Sequence, residues 1–573
     1  MKTVLRRGLG AGIALAVFAL AGDPVQAQAR EWTTAGFDAQ RTGWVRTDPH
    51  INRESVEDGT FQFLWKHTFD NETRQLESLT QPVLQDRLIG YRGFKSLAFI
   101  GGAADRLFAI DTDLAKPYWT THLTYAAATG SIPGSTWECP GGLLATPSRV
   151  TALVPSAFGG GGGGGGQRAV SAVGEPGKGA AVLSQPRRRR PAAPPSDPPP
   201  PPPPGPERKV EPVPFGGVDP LYAMGSDGML RILRVSDGHP MELPVPFLPP
   251  NTRPSSLLAV DGYVYTTTSR GCGAAPNAVW VLDLLSPEKK VTRWETGGAD
   301  VVGSSGVALG TSGLVYVATG TAPPNDRPWL GTNGERTKYA SSVVALDRAT
   351  LEPKDQFTIE GAGFNATPIV FRHKGRDLVV ASADNGRLYL LDGAALGGTD
   401  GRTPLHVTPV FSGPGNGAGL ATWQDREGTR WVLATAVGPV PAAAGFRANG
   451  PAENGSVVAF RLVEEGSSLS LQPAWQSPDL LSPLAPIVVN GLVFAAAGGE
   501  YRGPETDLPA AERAKRSRPA VLHALDAATG KPLWSSGNTI TSFARAGLAA
   551  GGGQVYLVTY DNTLYAFGIP LEH

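Results

Sequence analysis

Two cysteines, Cys139 and Cys272, are the residues that most restrict the available chemistry. In an oxidising compartment an even count permits one disulfide. Neither lies in a C-x-x-C-H run, so no haem is attached through thioether bonds. The histidines are scattered, and no His/Cys spacing suits zinc. No G-x-S-x-G elbow and no Walker loop occurs. The glycine runs do not lead into a helix, so they cradle no phosphate. What remains is a set of polar side chains in long loops. Thr321–Ala340 is one such loop and holds Asn325, Asp326, Trp329 and Glu335. Loop-borne polar groups of this kind bind ligands when a rigid scaffold positions them.

The scaffold must be sought in the rest of the 573 residues. Hydrophobic residues make up 41% and charged residues 18%, which supports a packed core. Lys plus Arg and Asp plus Glu both number 51. That balance excludes the basic footprint a nucleic-acid partner requires. Residues 1–29 read as an export signal. Lys2, Arg6 and Arg7 precede an apolar run from Leu9 to Gly22, and Ala27-Gln28-Ala29 offers a small-x-small cleavage site. The run is short for a membrane span, and no later segment is apolar enough for one. A periplasmic or secreted protein is expected, with no transmembrane segment after signal cleavage.

One pattern recurs along the chain. A short apolar strand ends in Ala/Val-x-Asp, a polar turn follows, and a Trp often closes the unit. The clearest copy runs from Val521 to Trp534, and a second from Leu107 to Trp119. Weaker copies end at Asp283, Asp347 and Asp392. Others contain Leu230–Leu233, Gly455–Phe460 and Thr563–Phe567, which makes eight units. Alternating apolar residues give buried strands. Asp caps backbone N–H groups in the turns, and Gly accepts positive φ there. From about Pro155 to Gly217 the pattern is interrupted by Gly159–Gly166, Arg187–Arg190 and Pro198–Pro204. Flexible Gly and extended Pro runs form no core, and the arginines read as a solvated charge run.

Ala524-x-Asp526-x-x-Thr529-Gly530-x-x-x-Trp534 resembles the tryptophan-docking motif of pyrroloquinoline quinone (PQQ) dehydrogenase propellers. Trp32, Gly36, Asp38, Arg41 and Trp44, then Ile51, Val56 and Trp65, are similar to the leading segment of that family. The resemblance covers most of residues 31–570. It implies an all-β, eight-bladed β-propeller of the quinoprotein dehydrogenase type, interrupted by the disordered Gly/Pro-rich insert. Residues 1–29 would be the signal peptide, and 30–154 the leading segment and first blades. Residues 155–217 would be the insert and 218–570 the remaining blades. The last unit stops without a fourth strand, so Phe61–Trp65 is expected to close the blade of Thr563–Phe567.

In such a propeller four long loops would gather on one face over the central channel: Ser269–Asn277, Thr321–Ala340, Val437–Asn454 and Gly498–Pro519. The insert would emerge from the opposite face. Cys139 would precede a first strand and Cys272 would lie in a loop of the next unit, so a bridge between them is expected; two buried thiols are the other reading. The family also implies a vicinal disulfide, an Asn ligand for calcium and an Asp base. The matching stretches here carry Glu138-Cys139-Pro140, Thr321 followed by Asn325 and Asp326, and Glu360 near Asn365. The vicinal ring cannot form, and the calcium and base positions are altered. The ligand-binding candidates are therefore Glu138, Arg270, Thr321, Asn325, Asp326, Glu360 and Asn365. No catalytic residue or metal ligand is assigned, and PQQ and calcium have an incomplete ligand pattern. The expected function is an exported module that binds a protein or small molecule at its loop-rich face, around a degenerate dehydrogenase site. The alternative is a divergent PQQ-dependent oxidoreductase acting on an alcohol or sugar. Replacing residues 155–217 by a short Gly/Ser linker should leave the melting temperature nearly unchanged in calorimetry. A drop of several degrees would show that the segment packs on the blades.

Overall fold

The computed structural model describes residues 31–90, 93–123, 136, 138–152, 219–322, 338–415, 419–503, 505 and 508–570. Residues 1–29, 155–217, Trp137, Asn325 and Asp326 lie outside these. Apolar alternation drives the described residues into antiparallel sheets, and eight of them form the blades of a β-propeller. Blades one to eight begin at Val83–Gly90, Ser148–Arg149, Leu258–Val260, Ala308–Leu309, Ile369–His373, Leu420–Gln424, Ile487–Val489 and Ala549–Gly551. These first strands are the innermost of their blades except in blade seven. The middle strands are buried on both faces because each sheet is sandwiched between its neighbours. Leu492–Ala497 of blade seven shows this, with every residue buried.

The Asp-x-x-Thr-Gly turns bind one blade to the next. At the end of Val521–Asp526, the Asp526 carboxylate accepts the Thr529 N–H at 2.7 Å and its hydroxyl at 2.6 Å. Gly530 can then turn with φ of 70°. A Cβ there would lie 2.3 Å from the ring of Trp475, which belongs to blade six. Trp475 Nε1 donates to the Ala527 carbonyl at 3.0 Å. Trp119 of blade one docks in the same way, donating to the Val235 carbonyl at 2.9 Å against Gly238 of blade two. Each such indole buries a large apolar area and satisfies its one polar atom.

The N-terminal segment closes the ring twice over. Gln62–Thr68 pairs antiparallel with Thr563–Gly568 and is the outermost strand of blade eight. Before that, residues 32–43 run through the axis and meet the blades in order. The carbonyls of Trp32, Thr33, Ala39, Gln40, Thr42 and Gly43 accept N–H groups of Leu84, Arg149, Leu309, Val370, Thr422 and Val488. Those donors belong to blades one, two, four, five, six and seven. Blade three is joined by the Thr34 hydroxyl, which donates to the Leu257 carbonyl at 2.7 Å. Asp48 accepts the Gly553 N–H of blade eight at 2.9 Å. Trp44–Val45 then adds a parallel strand inside blade seven.

One expected loop takes another course. Val437–Asn454 does not cover the channel. Its Arg447–Ala448 pairs in parallel with Trp475 and Gln476 on the outer edge of blade six. The open edge of the fourth strand offers unpaired backbone groups, and this loop is long enough to reach them. Asn449 Nδ2 and Arg447 Nη2 both donate to the Thr529 carbonyl of blade seven, fastening the loop outward. Trp475→Ala should destabilise the protein by about 3–5 kcal/mol in chemical denaturation, because it opens a cavity and strips the docking bond.

Candidate functional site

Turns from first to second strand lie on one face of the ring, here called lower. Loops from second to third strand, and the links between blades, lie on the upper face. Cys139, in the link into blade two, is bonded to Cys272, in the upper loop of blade three, with Cα atoms 5.4 Å apart. The bond straps that loop to the link. Beside it, Arg270 lies 3.5 Å from Glu138 and 3.2 Å from Asp300. The Arg270 N–H and Asn277 Nδ2 both donate to Asp300 Oδ1 at 2.9 Å. Glu138, Arg270 and the two cysteines are thus one cluster.

The charge pattern continues across the mouth. Arg253, from the link into blade three, donates to the Glu138 carbonyl at 2.5 Å and lies 3.6 Å from Glu77. Glu77, in the link into blade one, meets Arg545 at 3.0 Å. Arg545, in the link into blade eight, reaches Glu500 at 3.3 Å, and Arg502 reaches Glu500 at 3.1 Å. Burial pulls the Arg545 pKa down, but Glu77 and Glu500 outweigh it and hold the pKa above its ordinary value. Arg253 ends below its ordinary value, because burial dominates over the attraction of Glu77. Burial pushes the Glu500 pKa up, yet Arg545 and Arg502 prevail and keep it low. Glu500, 5% exposed, is the member of this network whose charge most needs its partners.

The other sequence candidates do not join this cluster. The Thr321 backbone N–H packs against Gly363, where a Cβ would come within 2.7 Å. Asn365 follows two residues later, half-buried, and its Nδ2 donates to the Gly415 carbonyl at 3.3 Å. Its Oδ1 has no hydrogen-bond partner. The Glu360 side chain is 78% exposed and paired with Arg402. Asn325 and Asp326 lie outside the described residues. Glu77, Arg253, Asp300, Glu500 and Arg545 were not singled out from the sequence. A faint signal exists for two of them. Arg253 is the only charged residue between Glu242 and Asp261, and Arg545 is the only one between Lys531 and Asp561.

These residues do not fit the calcium-bound quinone of the resembled family. The Cys139 sulfur is committed to Cys272, so no vicinal ring offers a stacking face. Glu360 is exposed and already paired with Arg402, which does not suit a general base. Among the described residues, no three of His, Cys, Asp and Glu gather as a metal-ligand set.

Ring, docked tryptophans and axial leading segment together define an eight-bladed β-propeller with the fold of the quinoprotein dehydrogenases. A family model described as outer membrane protein assembly factor BamB matches residues 505–569. No curated protein matches the chain. Among solved structures, the quinohemoprotein alcohol dehydrogenase of Comamonas testosteroni is 13% identical, with 97% of this chain and 83% of that chain covered at a TM-score of 0.53. Quinohemoprotein alcohol dehydrogenase ADHIIG of Pseudomonas putida HK5 is 12% identical, with coverages of 96% and 81% and a TM-score of 0.56. A europium-containing methanol dehydrogenase is 10% identical, with coverages of 94% and 98% and a TM-score of 0.52. At these identities the likeness is one of fold. Among the described residues no helix is long and apolar enough to cross a membrane.

The charge network has a pH signature. The folded pKa of Glu500 lies below its ordinary 4.5. Its pairing therefore stabilises the protein above that value and is lost as pH falls through the folded pKa. Glu500→Gln should cost about 1.5–3 kcal/mol at neutral pH, the worth of hydrogen bonds to a charged group, since Arg545 keeps its pairing with Glu77. The gap in melting temperature between wild type and variant should close on acidification below about pH 4.5.

Proposed function

We propose that the chain is an exported binding propeller whose upper face docks a protein or a small-molecule ligand. The observation that carries this reading is the mouth itself. Links and loops of blades one, two, three, seven and eight meet there in arginine–carboxylate pairs, and the disulfide straps two of them together. Such a floor presents fixed charges and hydrogen-bond donors. Preorganised groups of this kind recognise a partner with little ordering cost. The description of the matched family, an assembly factor, agrees with a binding role. The leader at residues 1–29 and a bridge between blades both suit an oxidising compartment outside the cytoplasm.

The competing oxidoreductase reading makes a separate demand. Purified protein supplied with PQQ and calcium chloride should give no dye reduction with alcohols or sugars above that of the protein alone. Substrate-dependent dye reduction that rises with added PQQ would overturn the binding reading in favour of a dehydrogenase.

A further inference from the structure

The upper mouth balances its charges, but the lower end of the axis does not. Asp38 lies on the axial segment and is the carboxylate whose field reaches Arg41, Arg46 and Arg430. It is already engaged locally, accepting the Thr42 N–H at 3.0 Å and the Thr42 hydroxyl at 2.7 Å. Of the three guanidinium groups only Arg46 meets this occupied carboxylate as an ion pair, at 3.5 Å. Arg41 is placed deep in the axis, where its Nε donates to the Val307 carbonyl at 2.7 Å and Nη2 has no partner.

The other two arginines stand where Trp44 leaves the axis. The Arg46 guanidinium lies 4.7 Å from the centre of the Trp44 ring, and Arg430 lies 5.6 Å from it. Arg430 also lies 5.1 Å over Phe371. Gln424 and Arg430 flank the turn between the first two strands of blade six, which fixes this place as the lower face. Arg430 is only 5% exposed, yet its one hydrogen bond to a described residue is 3.3 Å from Nη2 to Gln424 Oε1. Arg46 keeps 16% of its side chain exposed and makes one long contact, 3.5 Å to Asp38. A guanidinium carries five N–H donors in its plane. Aromatic rings occupy its flat faces and leave that donor edge free. A buried cation pair of like sign costs free energy unless an anion joins it.

We propose that Arg46 and Arg430, held against Trp44, form an oxyanion-binding site at the lower end of the axis for a phosphate- or carboxylate-bearing ligand. The site lies on the face opposite the mouth and stands or falls independently of the binding role proposed there. Planar, forked donors match both oxyanions, so chemistry alone does not separate the two. Ligand binding would neutralise the surplus charge and lock the leading segment where it leaves the axis.

Titration calorimetry of the full chain with inorganic phosphate, and in a parallel arm with succinate, tests this at constant ionic strength. Saturable one-site binding is expected in at least one arm, and the tighter arm assigns the ligand class. The same ion should raise the melting temperature. Arg46→Gln should weaken binding by about tenfold or more, the loss typical of a hydrogen-bonded charge. Arg46→Lys should fall between, since it keeps the charge without the fork. Arg234→Gln removes a lower-face arginine paired with Asp237 and should leave binding unchanged. Absence of saturable binding in both arms would overturn the proposal. So would equal affinity in wild type and Arg46→Gln. Should Arg46→Gln fail to fold, wild-type affinity in Arg46→Lys would overturn it as well.

Discussion

The inner edges of the first strands impose the constraint on which the rest of this structure depends. First strands of six blades turn backbone N–H groups toward a common axis. An unpaired buried amide costs free energy comparable to a lost hydrogen bond. The leading segment resolves this by threading the axis and presenting its carbonyls to successive blades. Its side chains fill the remaining space, with Trp32 and Phe37 meeting edge to face at 5.5 Å between ring centres. The same stretch of chain then supplies the outer strand of blade eight. Axis and perimeter are thus closed by one covalent segment, so the blades cannot separate without unthreading it.

Rigidity around the perimeter comes from the indole-on-glycine contacts. Trp119 against Gly238 and Trp475 against Gly530 each require the absence of a Cβ at the turn. Because the turn glycine belongs to the next blade, each contact holds a whole sheet at a set angle. The upper loops inherit that precision, and this explains how charges from blades as distant in sequence as Glu77 and Arg545 meet at 3.0 Å. A network of this kind tolerates burial because each cation faces at least one carboxylate. The lower end of the axis lacks that balance, since Asp38 pairs with Arg46 at 3.5 Å while Arg430 makes no ion pair among the described residues. The two ends of one channel therefore differ in electrostatic character although the same segment runs through both.

The polar side chains at the mouth are engaged with one another. Cys139 reaches across to blade three, and that loop carries Arg270 into contact with Glu138. The scaffold therefore keeps its geometry while the groups at its opening serve to fix loops. A fold does not carry its chemistry with it.

Much of this architecture was legible in the chain. Ala524 to Trp534 announced the docking turn, because the motif is local and every member has a local physical task. Eight repeats and a missing last strand announced ring closure, since an unpaired edge must be covered. Topology then placed Cys139 and Cys272 in adjacent units on one face, where the structure joins them. The long loops between second and third strands misled in part: length alone did not say that Arg447–Ala448 would seek the outer edge of blade six. Glu360 kept a suggestive position in the sequence, yet its side chain turns outward to Arg402. Glu77, Arg253, Glu500 and Arg545 carried no motif at all. Their partners lie in separate blades, and ion pairing depends on distances that exist only after the ring has closed. Sequence by itself determined the repeat, the turn chemistry and the number of blades, because those are set by neighbours along the chain. Tertiary structure alone decided which charges meet at the two ends of the axis, because Coulomb energy depends on separation in space.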